Sequence, residues 1–438
     1  MNKLSKIFQP VISTPTEAIG KNREISSKSQ KLMIELGLIR PANNGFFTIL
    51  PLAQRSIEKC TGIVDHYMKK IGAQKISIPH LTSIDLWQQS GRYGTTKSEL
   101  LTTTDRHGKI YVLGPTYEEA ITSLMANIGQ PISYRQLPLK VYQIGNKFRE
   151  EQRPKFGLIR AKEFLMKDSY SFDIDRSSAI RTYEEYVQTY TDLFRTIGTP
   201  TKIVQADAGN IGGSLSHEFH VPSEIGDDTL MQCTACSWST NLEVAGDVST
   251  CPQCQATVKR CKGIEVAHTF LLDDKYSKPL GARFLHANGK PTTLTMGCYG
   301  IGISRLIAAS IENLSTEREI RWPFVLAPFS VCIIPPKRGS REMESVAHLT
   351  DLVYGELTKT QELSDDVVVD DRTGLTIGKR MLEAKRLGYP LIVVIGKDAA
   401  GVDGKYELHF TNTETVKRLS FDELLGEIRN EVSSHRYR

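Results

Sequence analysis

Three short segments of the chain carry side chains suited to holding a phosphate chain and an amino group. In the first, Phe148-Arg149-Glu150-Glu151 is followed by a polar, basic stretch and then by Arg160-Ala161-Lys162-Glu163-Phe164. A strand, a loop and a returning strand would set Arg149, Glu151, Arg160 and Phe164 along one antiparallel hairpin. A planar guanidinium fork pairs with two phosphate oxygens at once, and a phenylalanine beyond it can stack on a purine. Standing alone, the same segment reads equally as an exposed hairpin with solvated charges. The second segment, Gly297-Cys298-Tyr299-Gly300-Ile301-Gly302-Ile303-Ser304-Arg305, runs into an apolar helical stretch. Its glycines would let backbone approach a ligand closely, with Arg305 entering the helix beside it. No Gly-Lys-Ser/Thr follows, so it is not a P-loop, and alone it is a structural turn. In the third, Gly114-Pro115-Thr116-Tyr117-Glu118-Glu119, Thr116 and Glu118 share one face of an extended loop. A hydroxyl beside a carboxylate is a receptor for an amino group. The competing interpretation is a threonine helix cap with acids in the first turn.

Of eight cysteines, four form the pairs Cys233-Thr234-Ala235-Cys236 and Cys251-Pro252-Gln253-Cys254, with 14 residues between them. This matches a zinc-ribbon spacing, because each pair presents two thiolates from one turn. The remaining cysteines are scattered, which fits a reducing compartment and not a secreted disulfide scaffold.

The elements that must position these residues are legible from periodicity. Pro51 to Ile71 reads as a helix, with Leu52, Ile57, Ile63, Val64 and Tyr67 on one stripe and Gly72 as its stop. Ile76 to Pro79 reads as a short strand. Asp175 to Gly198 is the clearest helix, with Tyr183, Val187, Tyr190 and Phe194 recurring between an aspartate cap and a terminal glycine. Lys109–Leu113, Leu139–Ile144 and Glu163–Met166 are β-like. Strands with segregated helices favour α+β and an antiparallel sheet. From about Ala327 strands and helices alternate, ending in a helix over Phe421–Val432 with Ser420 and Glu423 as a capping box. That is a small α/β domain, joined through Trp322-Pro323 to Ala327-Pro328.

With 438 residues, 40% of them hydrophobic and 24% charged, the chain has the composition of a globular enzyme of two or more domains. No apolar run approaches the roughly 18 residues of a membrane span, so no membrane partner is expected. Lys plus Arg exceeds Asp plus Glu, giving a formal net charge of +5, which permits a nucleic-acid partner without demanding one. Residues 1–16 carry Lys3 and Lys6, several hydroxyls and no acid, the composition of a weak mitochondrial targeting segment or of a plain chain terminus.

Taken in order, the three segments resemble the signature motifs of class II aminoacyl-tRNA synthetases, and within them the prolyl branch of bacterial and organellar type. Phe-Arg-x-Glu, a loop and Arg-x-x-x-Phe is similar to that class's second motif, and Gly300 to Arg305 to its third. The helix ending at Gly72 with Pro79 beyond it looks like the first, usually a dimer interface. The prolyl branch is marked by the segment from Gly114 to Glu119, by Lys167-Asp168-Ser169-Tyr170-Ser171-Phe172, by Gly212-Gly213-Ser214-Leu215-Ser216-His217-Glu218-Phe219 and by Gly297 to Gly300.

The resemblance implies a class II catalytic domain with an antiparallel sheet over 17–325, followed by an anticodon-binding α/β domain over 326–438. It implies activation of L-proline by ATP with Mg²⁺, then transfer to tRNA(Pro), by a homodimer. Arg149 would bind the α-phosphate and the proline carboxylate, Glu151 the adenine amino group and Phe164 the ring. Arg160 and Arg305 would hold the γ-phosphate end, beside Gly302. Thr116 and Glu118 would take the secondary ammonium, with His217 and Cys298 near the proline ring. Arg372, Lys379 and Arg380, in a segment similar to the anticodon domain's central loop and helix, would touch tRNA or form a solvated helix face. The four paired cysteines would hold structural zinc or stand as reduced thiols. The short cysteine-bearing stretch 225–262 occupies the place of a large editing domain, and its brevity favours a mitochondrial enzyme over a cytoplasmic bacterial one. A synthetase-like nucleic-acid-binding subunit without catalysis is the alternative, disfavoured by the presence of both Arg149 and Arg305.

Overall fold

The computed structural model describes residues 1–11, 26–401 and 403–435. Its larger sheet has nine strands. In spatial order they are Leu215–Pro222, Lys202–Gln205, Ser239–Asn241, Asp228–Cys233, Val258–Asp273, Thr295–Gly302, Glu163–Asp173, Leu139–Phe148 and Gln74–Lys75. The long strands from Val258–Asp273 to Leu139–Phe148 are antiparallel, and Leu215–Pro222 also pairs with Val258–Asp273. The α+β expectation is met.

Side chains alternate along these strands, so each sends one set to either face. Lys167 and Ser169 of the strand Glu163–Asp173 meet the helix Arg176–Ile197, and Ser171 on the same face bonds the Tyr299 hydroxyl. There Ser169 bonds Tyr186, and Tyr186 lies flat on Tyr299 with ring centroids 3.6 Å apart. That helix begins where Asp175 accepts the Ser178 N–H and ends at Gly198, whose φ of 81° closes the turn. Pro51–Lys70 and Ile303–Leu314 complete the helical layer. Burying each of its large side chains contributes roughly 1.5–3 kcal/mol. On the opposite face, Asp168, Tyr170 and Phe172 look toward the helix Glu118–Ala126 and the cavity described below.

The expected strand at Ile76–Pro79 is absent. Pairing ends where the Ile76 N–H donates to the Tyr142 carbonyl, because the Ile78 N–H is taken by the Gln143 side chain and Pro79 has none to give.

The smaller sheet has six strands, Asn2–Lys3, Val367–Val369, Val331–Ile334, Leu391–Val394, Tyr406–Phe410 and Thr415–Leu419, the first four parallel and the last two antiparallel to their neighbours. Its C-terminal helix, Phe421–Ser434, opens on the expected Ser420–Glu423 capping box. The chain's first residues thus form an edge strand here, with Leu4 buried and Ser5 bonded to Asp371. Residues 12–16 of the candidate targeting segment lie outside the described residues. Between the sheets, Trp322 to Pro328 is a packed seam: Trp322 is buried and bonds the Leu387 carbonyl, and Arg55 bonds the Pro328 carbonyl.

Candidate active site

The cavity-facing side of the nine-stranded sheet carries a cleft of about 330 Å³, lined among others by Thr116, Arg149, Phe164, Cys298 and Arg305. A second hollow of about 240 Å³ shares Arg149, Glu265 and Arg305 with it and adds Glu151 and Arg160. The two lobes meet at the two arginines. Gly300 and Gly302 floor the first lobe, and a Cβ at Gly300 would meet no atom nearer than 3.8 Å, so that space is left to a ligand.

At the closed end, Thr116 donates to both carboxylate oxygens of Glu118, at 2.8 and 2.7 Å, and the Cys298 thiol donates to one of them at 3.1 Å. Thr116 does not cap the helix Glu118–Ala126, although Glu118 and Glu119 do fall in its first turn; the Thr116 hydroxyl is turned onto the Glu118 carboxylate instead. Arg92 reaches Glu118 at 3.1 Å and Glu119 at 3.2 Å from the side. Burial works to lower the Arg92 pKa, but the two carboxylates override it and hold the guanidinium above its ordinary value. Burial keeps the Glu119 carboxyl above the usual range despite Arg92. The Cys298 thiol is raised well beyond ordinary by burial and by Glu118, so it is no nucleophile.

Beneath this end runs a buried chain of polar contacts. Lys147 pairs with Asp168 at 2.7 Å, Asp168 accepts from Gln143 and from Tyr170, and the Tyr170 hydroxyl accepts the Tyr117 N–H at 3.0 Å. This fixes the residue that precedes Glu118, so the receptor carboxylate is set by the sheet and not by its own loop.

At the open end, the loop 149–162 joins Leu139–Phe148 to Glu163–Asp173, so Arg149, Glu151 and Arg160 sit just past the strands. The Arg149 guanidinium lies 5.1 Å over the Phe164 ring centroid, while burial and the nearby Arg305 lower its pKa. It remains cationic. Arg160 pairs with Glu151 at 2.7 Å. Arg305, in the first turn of Ile303–Leu314, bonds the Ile159 and Glu265 carbonyls, which aim it across the junction.

Several cavity residues escaped sequence reasoning. Glu218, Glu265 and His268 bring three ligand atoms within 4.8 Å of one another, and His220 holds Glu218 at 2.8 Å. Burial alone would raise the Glu265 pKa, but His268, Arg305 and His220 pull it far below the usual range. His217, expected near the ring pocket, points the other way. Its Nδ1 meets the Tyr183 hydroxyl at 2.7 Å on the helical side, and burial lowers its pKa. The signal was in the alternation: Phe219 and Val221 are the core face of Leu215–Pro222, and His217 shares it, whereas Glu218 takes the other. His268, stacked on Phe270 at 3.8 Å, is the histidine that lines the cavity.

In the smaller sheet's domain, Arg380 is fully buried and donates to the Asp370 and Pro335 carbonyls, so it braces the fold and is withdrawn from any RNA surface. Arg372 is paired with Asp370 and Glu383. Lys379 alone of the three is exposed. The paired cysteines are not among the residues lining the cavity, and all four Sγ atoms lie within 4.8 Å of one another.

Residues 100–314 match the family model described as tRNA synthetase class II core domain (G, H, P, S and T), and residues 330–431 match that of the anticodon binding domain. A human protein named probable proline–tRNA ligase, mitochondrial, is 45% identical over 425 residues, covering 96% of this chain and 89% of its own. The fission yeast protein of the same name is 39% identical, covering 87% and 89%. The Ehrlichia chaffeensis proline–tRNA ligase is also 39% identical, covering 87% and 90%. Among solved structures, Giardia lamblia prolyl-tRNA synthetase in complex with prolyl-adenylate shares the fold, with a TM-score of 0.78 at 16% identity over 93% of this chain and 78% of that one.

Proposed function

The chain belongs to the prolyl branch of the class II aminoacyl-tRNA synthetases, and we propose that its two-lobed cavity seats L-proline and ATP end to end across Arg149 and Arg305. It activates L-proline with ATP, releasing pyrophosphate, and passes the prolyl group to the 3′ end of tRNA. A proline carboxylate oxygen attacks the α-phosphorus, the bond to the bridging oxygen breaks, and the pair leaves on pyrophosphate. Positioning and fixed positive charge carry such a step. Arg149 stands where charge gathers, between carboxylate and α-phosphate, and is a fixed cation held over the Phe164 ring, so it needs little reorganisation. Arg305 and Arg160 take the far phosphates, Phe164 stacks on adenine and Glu151 reads its amino group. Thr116, Glu118 and Cys298 form the proline end.

The observation that carries this reading is the meeting of the two lobes at two arginines, with a carboxylate–hydroxyl receptor at one end only. The same arginines count against a subunit without catalysis. In Arg149→Ala, prolyl-adenylate formation should fall by about a thousandfold or more while the fold persists, the scale on which removing one fixed charge-stabilising donor acts. Near-normal adenylate synthesis by that variant would remove the assigned role.

Mg²⁺ would supply charge neutralisation on the phosphates. An oxygen-rich pair, Glu218 and Glu265, fits a hard cation of this kind, which favours one or two carboxylates and retains water. The 225–262 stretch stands in place of an editing domain, and a zinc ion at Cys233, Cys236, Cys251 and Cys254 would be structural, since four thiolates leave no open position. Catalytic and anticodon-binding domains divide at about 325/326. The partner is tRNA(Pro), contacted by Lys379 and, with its carboxylates as competitors, Arg372. The setting is the mitochondrion, the compartment in the names of the human and fission yeast relatives, and within it the matrix, with the chain acting as a homodimer.

A further inference from the structure

We infer that the four-cysteine knuckle is a positioning device for the junction of the two lobes, where the phosphates would lie, acting through Asn241 on Glu218; this rests on the zinc reading above. The thiols are arranged for a tetrahedral ion. Cys233 and Cys254 sulfurs stand 3.3 Å apart and those of Cys236 and Cys251 3.7 Å. Four thiolates at the Zn–S length of about 2.3 Å lie about 3.8 Å apart, near these two separations, and all four sulfurs lie within 4.8 Å of one another. The backbone N–H groups of Ala235 and Cys236 both point at the Cys233 sulfur, at 3.3 and 3.4 Å, which stabilises charge on it.

An ion there ties the turn after Asp228–Cys233 to the loop that leads into Val258–Asp273. Those two arms pair directly, and Ser239–Asn241 flanks Asp228–Cys233 on its other edge, so that Asn241 faces Leu230. Leu230 is three residues from Cys233, about 10 Å along a strand. Asn241 is buried, and its Nδ2 donates to Glu218 Oε2 at 3.2 Å, while His220 holds the same oxygen at 2.8 Å. Glu218 lines the cavity beside Glu265 and Arg305. The knuckle therefore fixes a hairpin whose last residue orients a cavity carboxylate.

The proline end has no such link. Thr116 and Glu118 are set by the Glu118–Ala126 helix and the Asp168–Tyr170 chain, and Cys298 by the strand Thr295–Gly302. Loss of the ion should therefore move the Michaelis constants for the two substrates unequally.

The test begins with zinc content of the purified full-length protein by plasma mass spectrometry, where one zinc per chain is expected. Kinetics of proline-dependent ATP–pyrophosphate exchange follow for Cys254→Ser and for Asn241→Leu. Cys254→Ser should lose the zinc, and Asn241→Leu should keep it. In both, the Michaelis constant for ATP should rise about tenfold, the scale on which residues that orient a ligating carboxylate act, and that for proline by less than about twofold. A wild-type protein without zinc overturns the zinc reading. Zinc retained in Asn241→Leu with an unchanged Michaelis constant for ATP overturns the coupling alone, and does so even where Cys254→Ser fails to fold.

Discussion

One guanidinium nitrogen of Arg92 lies 3.1 Å from Glu118 and 3.2 Å from Glu119, and all three residues are buried. Two buried carboxylates thus share one fixed cation. A secondary ammonium entering beside Thr116 and Glu118 would supply a second. A neutral ligand of proline's shape would not. Removing Arg92 would leave buried carboxylates without their cation, and breaking such buried pairs is expensive.

Glu118→Gln removes the charge and keeps the shape. The Michaelis constant for proline should rise about 10- to 100-fold, the span of roughly 1.5–3 kcal/mol carried by a hydrogen bond to a charged group. The Michaelis constant for ATP should stay within about twofold. Steady-state pyrophosphate exchange over both substrates reads the split. An unchanged value for proline would show that the ammonium lies elsewhere.

Much of this pocket was legible in the sequence because its residues occur in short, ordered motifs. Arg149, Phe164, Thr116, Glu118, Cys298 and Arg305 were all identified, and all meet in or at the cavity. The helices Pro51–Lys70 and Arg176–Ile197 were readable for a different reason: their apolar stripes and caps are local. Arg92 escaped, because it becomes meaningful only when the chain folds back 26 residues to Glu118. Glu265 and His268 escaped for the same reason, brought to Glu218 by strand pairing of Leu215–Pro222 with Val258–Asp273. His217 and Arg380 were misplaced because a polar residue inside a motif was taken to face the ligand. Strand alternation decides the first, and burial against two backbone carbonyls the second.

Lys167 gives a pH signature. Its ammonium is buried between the Tyr190 hydroxyl and the Tyr299 carbonyl, with Asp168 and Cys298 nearby, and burial lowers its pKa to about 7. In the unfolded chain the ordinary value is about 10.4. Between these two values the unfolded state holds a proton that the native state lacks, so this residue adds stability as pH rises from about 7. Below about 7 it costs the full burial of charge. Lys167→Met abolishes the dependence, so the stability of the variant relative to the parent should be greatest near pH 6 and fall toward pH 9. Urea unfolding at four pH values in that range reads it, and a difference that stays flat would contradict the buried, shifted ammonium.

A pocket built for proline excludes a smaller apolar amino acid weakly, by about 1–3 kcal/mol per missing methylene. The 225–262 stretch is a cysteine-bearing hairpin and a short helix, too short for a separate hydrolytic domain. Purified protein should therefore leave supplied Ala-tRNA(Pro) intact over the time in which it charges proline. Rapid deacylation would place an editing function in this chain after all.

The most direct test of the account is ATP–pyrophosphate exchange with each of the twenty amino acids, in the absence of tRNA. Proline should support rapid exchange, alanine weak exchange and the others none, since activation needs only the two-lobed cavity with Arg149 and Arg305 at its junction. A folded protein that exchanges with no amino acid, or with one other than proline, would contradict it.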